Sequence, residues 1–179
     1  MCIPLPYPQA RCKQGASKKT VIKQYTLTVC IGRKKNIMIL PRQVRVMGVS
    51  EAKPDNEIYL LMLEEVEGSR KLPIIIGGFE AKSILVALQK MELKRPIIYD
   101  LMLDMMLNCD IDLLRVDIVR KSGEAYFSKL VVKNGNQELQ LDSRTSDSVA
   151  LAIRSGAPIF VEDEILEEVK DRVQIRHTD

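Results

Sequence analysis

The stretch ELQLDSRTSDSVALAIRSGAPIFV, residues 138–161, decides how the chain is read. Glu138–Leu141 alternates polar and apolar residues, as a strand with one buried face does. Six polar residues, Asp142 to Asp147, follow at once and open a helix predicted over about Ser146–Arg154. Thr145 is the predicted N-cap, and Gly156 and Pro158 stop the helix. Ile159–Val161 then forms a short strand, and a last helix is predicted from about Asp163.

Working outward, the residues before this stretch supply two more strands. Leu114, Val116 and Ile118 alternate with charged residues, a turn at Ser122-Gly123 leads to Ala125–Val132, and Asn134-Gly135 signals a two-residue hairpin. The first half of the chain has the same order. Val44, Val46 and Val49 mark a strand. Ile58–Leu63 is continuously apolar, as in a strand buried on both faces. Gly68 marks a turn, and Leu72–Ile76 is a third strand ended by Gly77-Gly78. Ala81, Ile84, Leu85 and Leu88 then fall at helical spacing. Pro96 suits the first turn of a second helix. In it Ile98, Leu101, Met102 and Met105 form an apolar stripe, and Asp100, Asp104 and Asn108 form a polar face.

The reading is therefore an α+β fold: two pseudo-repeated three-stranded antiparallel meanders, each followed by helices, in a single compact domain over residues 43–170. Each half also places an x-Pro-Ile after its first helix, Arg95-Pro96-Ile97 and Ala157-Pro158-Ile159. Residues 171–179 read as a C-terminal tail.

Residues 1–42 read differently, as a basic N-terminal arm that is poorly ordered or accessory. They hold nine Lys/Arg and no acid, whereas residues 43–179 hold eighteen Lys/Arg against twenty-four Asp/Glu. Such an arm either attracts nucleic acid or is an extension outside the core, with Met38 as a later candidate start. Within it Tyr25–Ile31 can form one strand. Residues 1–37 are expected to be dispensable for folding, because they have few apolar groups to offset the entropy of ordering.

Several function classes are excluded. The sole histidine, His177, lies in the tail, which rules out Ser–His–Asp, Cys–His and multi-histidine metal chemistry within one chain. Cys2, Cys12, Cys30 and Cys109 include no CxxC pair, so neither a disulfide frame nor a zinc site is expected, and a reducing, cytoplasmic setting is. No apolar run reaches the roughly 18 residues of a membrane span. Pro4, Pro6 and Pro8 interrupt any signal-peptide core. No organic cofactor motif is present. Aromatics make up 4% of the chain, which counts against a binder built on stacking alone. The helix Ile97–Leu107 carries Met102, Met105 and Met106. That is either core filling or adaptable apolar surface, and the second reading predicts a homodimer or higher homo-oligomer.

Three polar segments can carry chemistry. Glu80 follows Gly77-Gly78 in a first helical turn, where a carboxylate favours the helix dipole or serves as ligand or base. Asp100 has the same two readings, and Arg95 just outside its helix can pair with it. The corner Asp142–Asp147 is the third. Backbone N–H groups at a strand-to-helix corner bind anions, Arg144 can bridge two phosphate oxygens, and Asp142 and Asp147 can hold Mg²⁺ or Mn²⁺ with waters. A capped helix start with Arg144 in a salt bridge explains the same residues.

Three ordered segments carry a resemblance. Leu72–Ala81 (LPIIIGGFEA) is similar to the "LPIxIG..EA" segment of the bifunctional nuclease domain family. Arg95–Leu101 (RPIIYDL) resembles its "RPLTHDL" segment. Asp142–Arg154 with Ala157–Ile159 (DSRTSDSVALAIR, API) resembles its "DSRPSDAIALALR…API" segment. The resemblance spans about residues 43–170. It implies a nuclease that cleaves phosphodiester bonds in DNA and RNA. On it, Glu80, Asp100, Asp142, Arg144 and Asp147 become catalytic candidates, and Arg95, Tyr99, Ser146 and Arg154 substrate-binding candidates, with nucleic acid as the partner. Tyr99 stands where the family segment usually has His. A tyrosine, with a pKa near 10, is a poor base at pH 7. Thr145 stands in place of a frequent Pro.

Overall fold

The computed structural model describes residues 41–53 and 57–166. The expected strand at Tyr25–Ile31, most of the basic arm, the tail and His177 lie outside them. The elements are β1 (Arg42–Lys53), β2 (Ile58–Glu65), β3 (Lys71–Gly77), α1 (Gly78–Leu88), α2 (Ile98–Asn108), β4 (Ile111–Ser122), β5 (Ala125–Asn134), β6 (Gln137–Arg144), α3 (Thr145–Ser155) and β7 (Ile159–Val161), then a 3₁₀ turn at Asp163–Ile165. Arg42, the last residue assigned to the arm, is the first of β1. Among the described residues the helix expected from Asp163 is this single turn.

All seven strands join one sheet in the order β3-β2-β1-β7-β4-β5-β6. β1–β2–β3 and β4–β5–β6 are antiparallel meanders. Short β7 joins them, antiparallel to β1 and parallel to β4, with Ile159 opposite both Val44 and Val116. The described residues thus form one mixed α/β domain with three helices. Beyond element order the halves differ: α1 and α2 follow the first meander, α3 and β7 the second.

The core lies between this sheet and the helices. α1 packs on β1, β2, β3 and α3; α3 packs on β4 to β6; α2 packs on α3 and β4. Leu61, Leu63, Leu72, Ile84, Val116, Ile118, Val149 and Val161 are fully buried, each worth about 1.5–3 kcal/mol of transfer free energy. In β2 burial alternates: Leu61 and Leu63 point inward while Leu60 and Met62 are only partly covered. The continuous apolar run had suggested burial on both faces. The outer face of β2 instead faces away from the helix layer.

Two local readings are corrected. Pro96 lies before α2, whose N-cap is Ile97. The hairpin residues between β5 and β6 are Gly135 and Asn136, because Asn134 pairs with Gln137 inside the ladder. Gly135 takes φ +58, the conformation the first position of such a loop requires. In α2, open between core filling and adaptable outward surface, the stripe of Ile98, Leu101, Met102 and Met105 faces outward, and the one buried residue of the helix is Tyr99.

Candidate active site

Two strand-to-helix corners build the site. β3 runs directly into α1 and puts Glu80 in the first turn. A Cβ added to Gly77 would lie 2.7 Å from Glu80 Oε2, so the carboxylate folds back over the helix start and would have to shift for any side chain there. β6 runs directly into α3, with Arg144 as the last strand residue and the N-cap. Thr145, expected as the cap, is buried instead and donates its hydroxyl to Tyr126 O at 2.9 Å. The Ser128 and Ser148 hydroxyls share a 2.7 Å hydrogen bond, and Ser128 Oγ also contacts Ser143 O at 3.0 Å. These ties fasten the α3 N-terminus to β5 and hold the corner rigid.

The charged groups link all three helix starts. Arg144 NH1 donates to Glu80 Oε1 at 2.9 Å, and the Arg144 side chain remains 71% exposed. The Tyr99 hydroxyl donates to Asp147 Oδ1 at 2.7 Å. Tyr99 is 4% exposed. Burial, the hydrogen bond to Asp147 and the negative charges of Asp147 and Glu80 push its phenol well above the ordinary tyrosine range, with the Arg154 charge opposing. Arg154 is fully engaged: Nε to Asp100 Oδ1 at 2.8 Å, NH1 to Ala150 O and NH2 to Ser83 O, each at 2.9 Å. Its guanidinium carbon lies 5.3 Å from the centre of the Tyr99 ring. Asp100 Oδ2 accepts from the Ile97 N–H at 3.0 Å and so caps α2.

The three predicted segments therefore do converge, through Glu80–Arg144, Tyr99–Asp147 and Asp100–Arg154. Arg95 stands apart. It is exposed and lines a separate hollow of about 280 Å³ with Asp100 and Arg154.

Beside the α3 corner opens a cleft of about 480 Å³. Ile74, Ile75 and Ile76 of β3 form one wall, and Asp142, Ser143 and Arg144 of β6 the other. β3 and β6 are the two ends of the sheet order, so the sheet curls to bring its open edges to one cleft. Thr145 and Ser146 of the helix start also line it, as do Tyr126 and Phe127 of β5, which the sequence reading had not singled out. Only the strand register could have found them: Phe127 lies directly opposite Arg144.

Asp142 is exposed on β6, opposite Lys129. Among the described residues no three or more His, Cys, Asp or Glu side chains come together to hold a metal ion. An ion at Asp142 or Asp147 would take most of its oxygens from water and substrate phosphate, as Mg²⁺ commonly does.

A family model described as the bifunctional nuclease domain matches residues 61–174. An uncharacterized protein of Mycobacterium tuberculosis (strain H37Rv) is 37% identical over 124 residues, covering 69% of this chain and 73% of that protein. The protein named bifunctional nuclease 1 in Oryza sativa subsp. indica is 31% identical over 130 residues, covering 71% of this chain and 39% of the rice protein. Bifunctional nuclease 2 of Arabidopsis thaliana is 29% identical over 93 residues, half of this chain and 28% of the plant protein.

Proposed function

The chain belongs to the bifunctional nuclease domain family, and from that premise we propose that it hydrolyses phosphodiester bonds of DNA or RNA at the cleft beside Arg144. One observation carries this reading. Arg144 is anchored by Glu80 through a single nitrogen, while the rest of its exposed guanidinium stands at a helix N-terminus over a cleft that Asp142 also lines. Guanidinium and helix N–H groups together suit a phosphate and the charge that grows on it during attack.

In this reading Arg144 holds the scissile phosphate and Glu80 fixes the guanidinium. Asp142, exposed on the cleft wall, takes a proton from the attacking water as that oxygen bonds to phosphorus and the ester oxygen leaves. Asp147, held by Tyr99, fixes the first turn of α3. Tyr99 and Arg154, given as substrate contacts by the resemblance, act instead as positioning residues, since their polar groups are engaged inside the protein. Ser146 contributes its backbone N–H at the cleft. Mg²⁺ or Mn²⁺, held by Asp142 or Asp147, would neutralise phosphate charge when bound. Cleavage of a labelled oligonucleotide with Mg²⁺, with Mn²⁺ and with EDTA tests the reading, and no cleavage under any of the three sinks it.

A second reading is a non-catalytic binding or regulatory module that uses the same corner for an anionic ligand or a dimer contact. It is favoured by Tyr99, which replaces the histidine of the family segment and is buried against Asp147. Binding of the oligonucleotide without cleavage would select it.

We also infer a homodimer or higher homo-oligomer through the outward apolar face of α2, where Met105 is 60% and Leu107 63% exposed. A cytoplasmic location is supported by the exposed free thiol of Cys109. No helix among the described residues is long and apolar enough to cross a membrane.

A further inference from the structure

We propose that the cleft selects unpaired, single-stranded nucleic acid, with Phe127 and Arg120 as the platform on which a base stacks beside Arg144. This rests on the reading of the family site as one for nucleic acid.

The first observation is a register. Arg120 of β4 lies opposite Phe127 of β5, and Phe127 lies opposite Arg144 of β6. Directly opposed residues of antiparallel strands share a face of the sheet. The three side chains therefore form one row that ends at the phosphate-binding arginine.

The second observation is a stack. The Arg120 guanidinium carbon sits 4.1 Å from the centre of the Phe127 ring. A guanidinium resting on a ring leaves its far side for a further partner, and bases stack on arginine planes as they do on aromatic rings. Arg120 is an exposed residue beside Phe127, which itself lines the cleft.

The third observation is the shape of the cleft. Its volume of about 480 Å³ is that of a site for one small ligand, and its walls are the two edges of the curled sheet. Ile75, 55% exposed on β3, gives the opposite wall an apolar contact. A base turned out of any stack can enter such a slot while its phosphate meets Arg144. In a duplex each base is already paired and stacked, and freeing it costs a few kcal/mol per nucleotide. The slot therefore discriminates against duplexes without reading sequence.

Binding separates this proposal from the nuclease reading, because it needs no turnover. Fluorescence anisotropy with a short labelled oligothymidylate, alone and annealed to oligoadenylate, is measured on the full chain in EDTA. The single strand is expected to bind about tenfold or more tighter than the duplex. Phe127→Ala and Arg120→Ala should each weaken single-strand binding by about 5- to 150-fold and leave duplex binding nearly unchanged. Phe127→Tyr, which keeps the ring, should retain binding and guards against a folding defect in the alanine variant. Equal affinity for strand and duplex, absence of single-strand binding, or alanine variants that bind like the wild type would each overturn the proposal. Absence of cleavage with intact single-strand selectivity would instead remove the nuclease reading and leave this one standing.

Discussion

The Tyr99 hydroxyl is hydrogen-bonded to Asp147 Oδ1 at 2.7 Å, so the residue in the family's histidine position acts inside the protein. Its phenol is held protonated by burial and by the carboxylate that accepts its proton. The folded pKa lies above the unfolded value near 10. Stability from this contact is therefore present below pH 10 and falls as the pH rises beyond it, because the unfolded chain releases a proton that the folded chain keeps. In an ultraviolet titration the last phenolate to appear should be that of Tyr99, and Tyr99→Phe should remove that phase. Tyr99→Phe should also cost about 0.5–1.5 kcal/mol in denaturant unfolding. Loss of an early-titrating phase instead would contradict the buried placement.

Arg144→Ala separates a functional corner from a structural one. The side chain is mostly solvated and makes one ion pair with Glu80, so its removal should cost no more than about 1 kcal/mol of stability. If it holds phosphate, oligonucleotide cleavage should drop by about 100-fold or more. Melting temperature and cleavage rate measured on one preparation decide the matter. A large fall in melting temperature with activity tracking the folded fraction would mean that the corner is only scaffolding.

The strands were legible because their signals are local. Alternation in Leu114–Ile118, glycine at the hairpins and the polar run at residues 142–147 each act within a few residues, and all correspond to observed elements. The orientation of α2 was not legible for a physical reason. The helix IYDLMLDMMLN is apolar on most of its circumference, so periodicity cannot choose the buried side. Tertiary contacts choose it, through Tyr99 reaching Asp147 and Asp100 reaching Arg154 across from α3. The candidate carboxylates were legible as types, but their pairing was not. Glu80 and Arg144 are 64 residues apart and meet only because the sheet brings two strand-to-helix corners side by side.

Acid should loosen the β2–β3 turn and its tie to the segment after β7. Arg70 donates to both Glu65 oxygens at 3.0 Å and to Asp163 Oδ1 at 2.7 Å, and Arg42 Nε reaches Asp163 Oδ1 at 2.9 Å. The Arg70 hydrogen bonds, and then the Arg70 and Arg42 charges, hold the Glu65 carboxyl below its ordinary value of 4.5 against the opposing effect of burial. A depressed folded pKa gives stability that is present above pH 4.5 and lost as the pH falls through and below it. The melting temperature should therefore fall steeply below about pH 4.5, and Glu65→Gln should flatten that fall while lowering the plateau at neutral pH. An unchanged slope in the variant would show that other carboxylates set the acid limb.

The outward face of α2 carries the last prediction. Ile98, Leu101, Met102, Met105 and Leu107 are all exposed along one short helix. An exposed apolar face of this kind marks an interaction surface more often than an accident of composition. Met side chains adapt to a partner of imperfect fit, and a second copy of the same helix offers a self-complementary partner under two-fold symmetry. Asp104 is exposed on the same helix, so a head-to-head pairing must offset its charge, and dilute salt should weaken it more than concentrated salt. Sedimentation at micromolar concentration should give a mass of at least twice 20.3 kDa. Met105→Lys puts a charge on the face without touching the core, since Tyr99 is the buried residue of the helix. It should shift the protein to monomer while leaving the melting temperature of the monomeric unit and the Arg144 corner intact. A wild type that sediments only as monomer would remove the oligomer. A Met105→Lys variant that still assembles would move the interface elsewhere, with the exposed edge of β6, carrying Leu139 and Leu141, as the next surface to substitute.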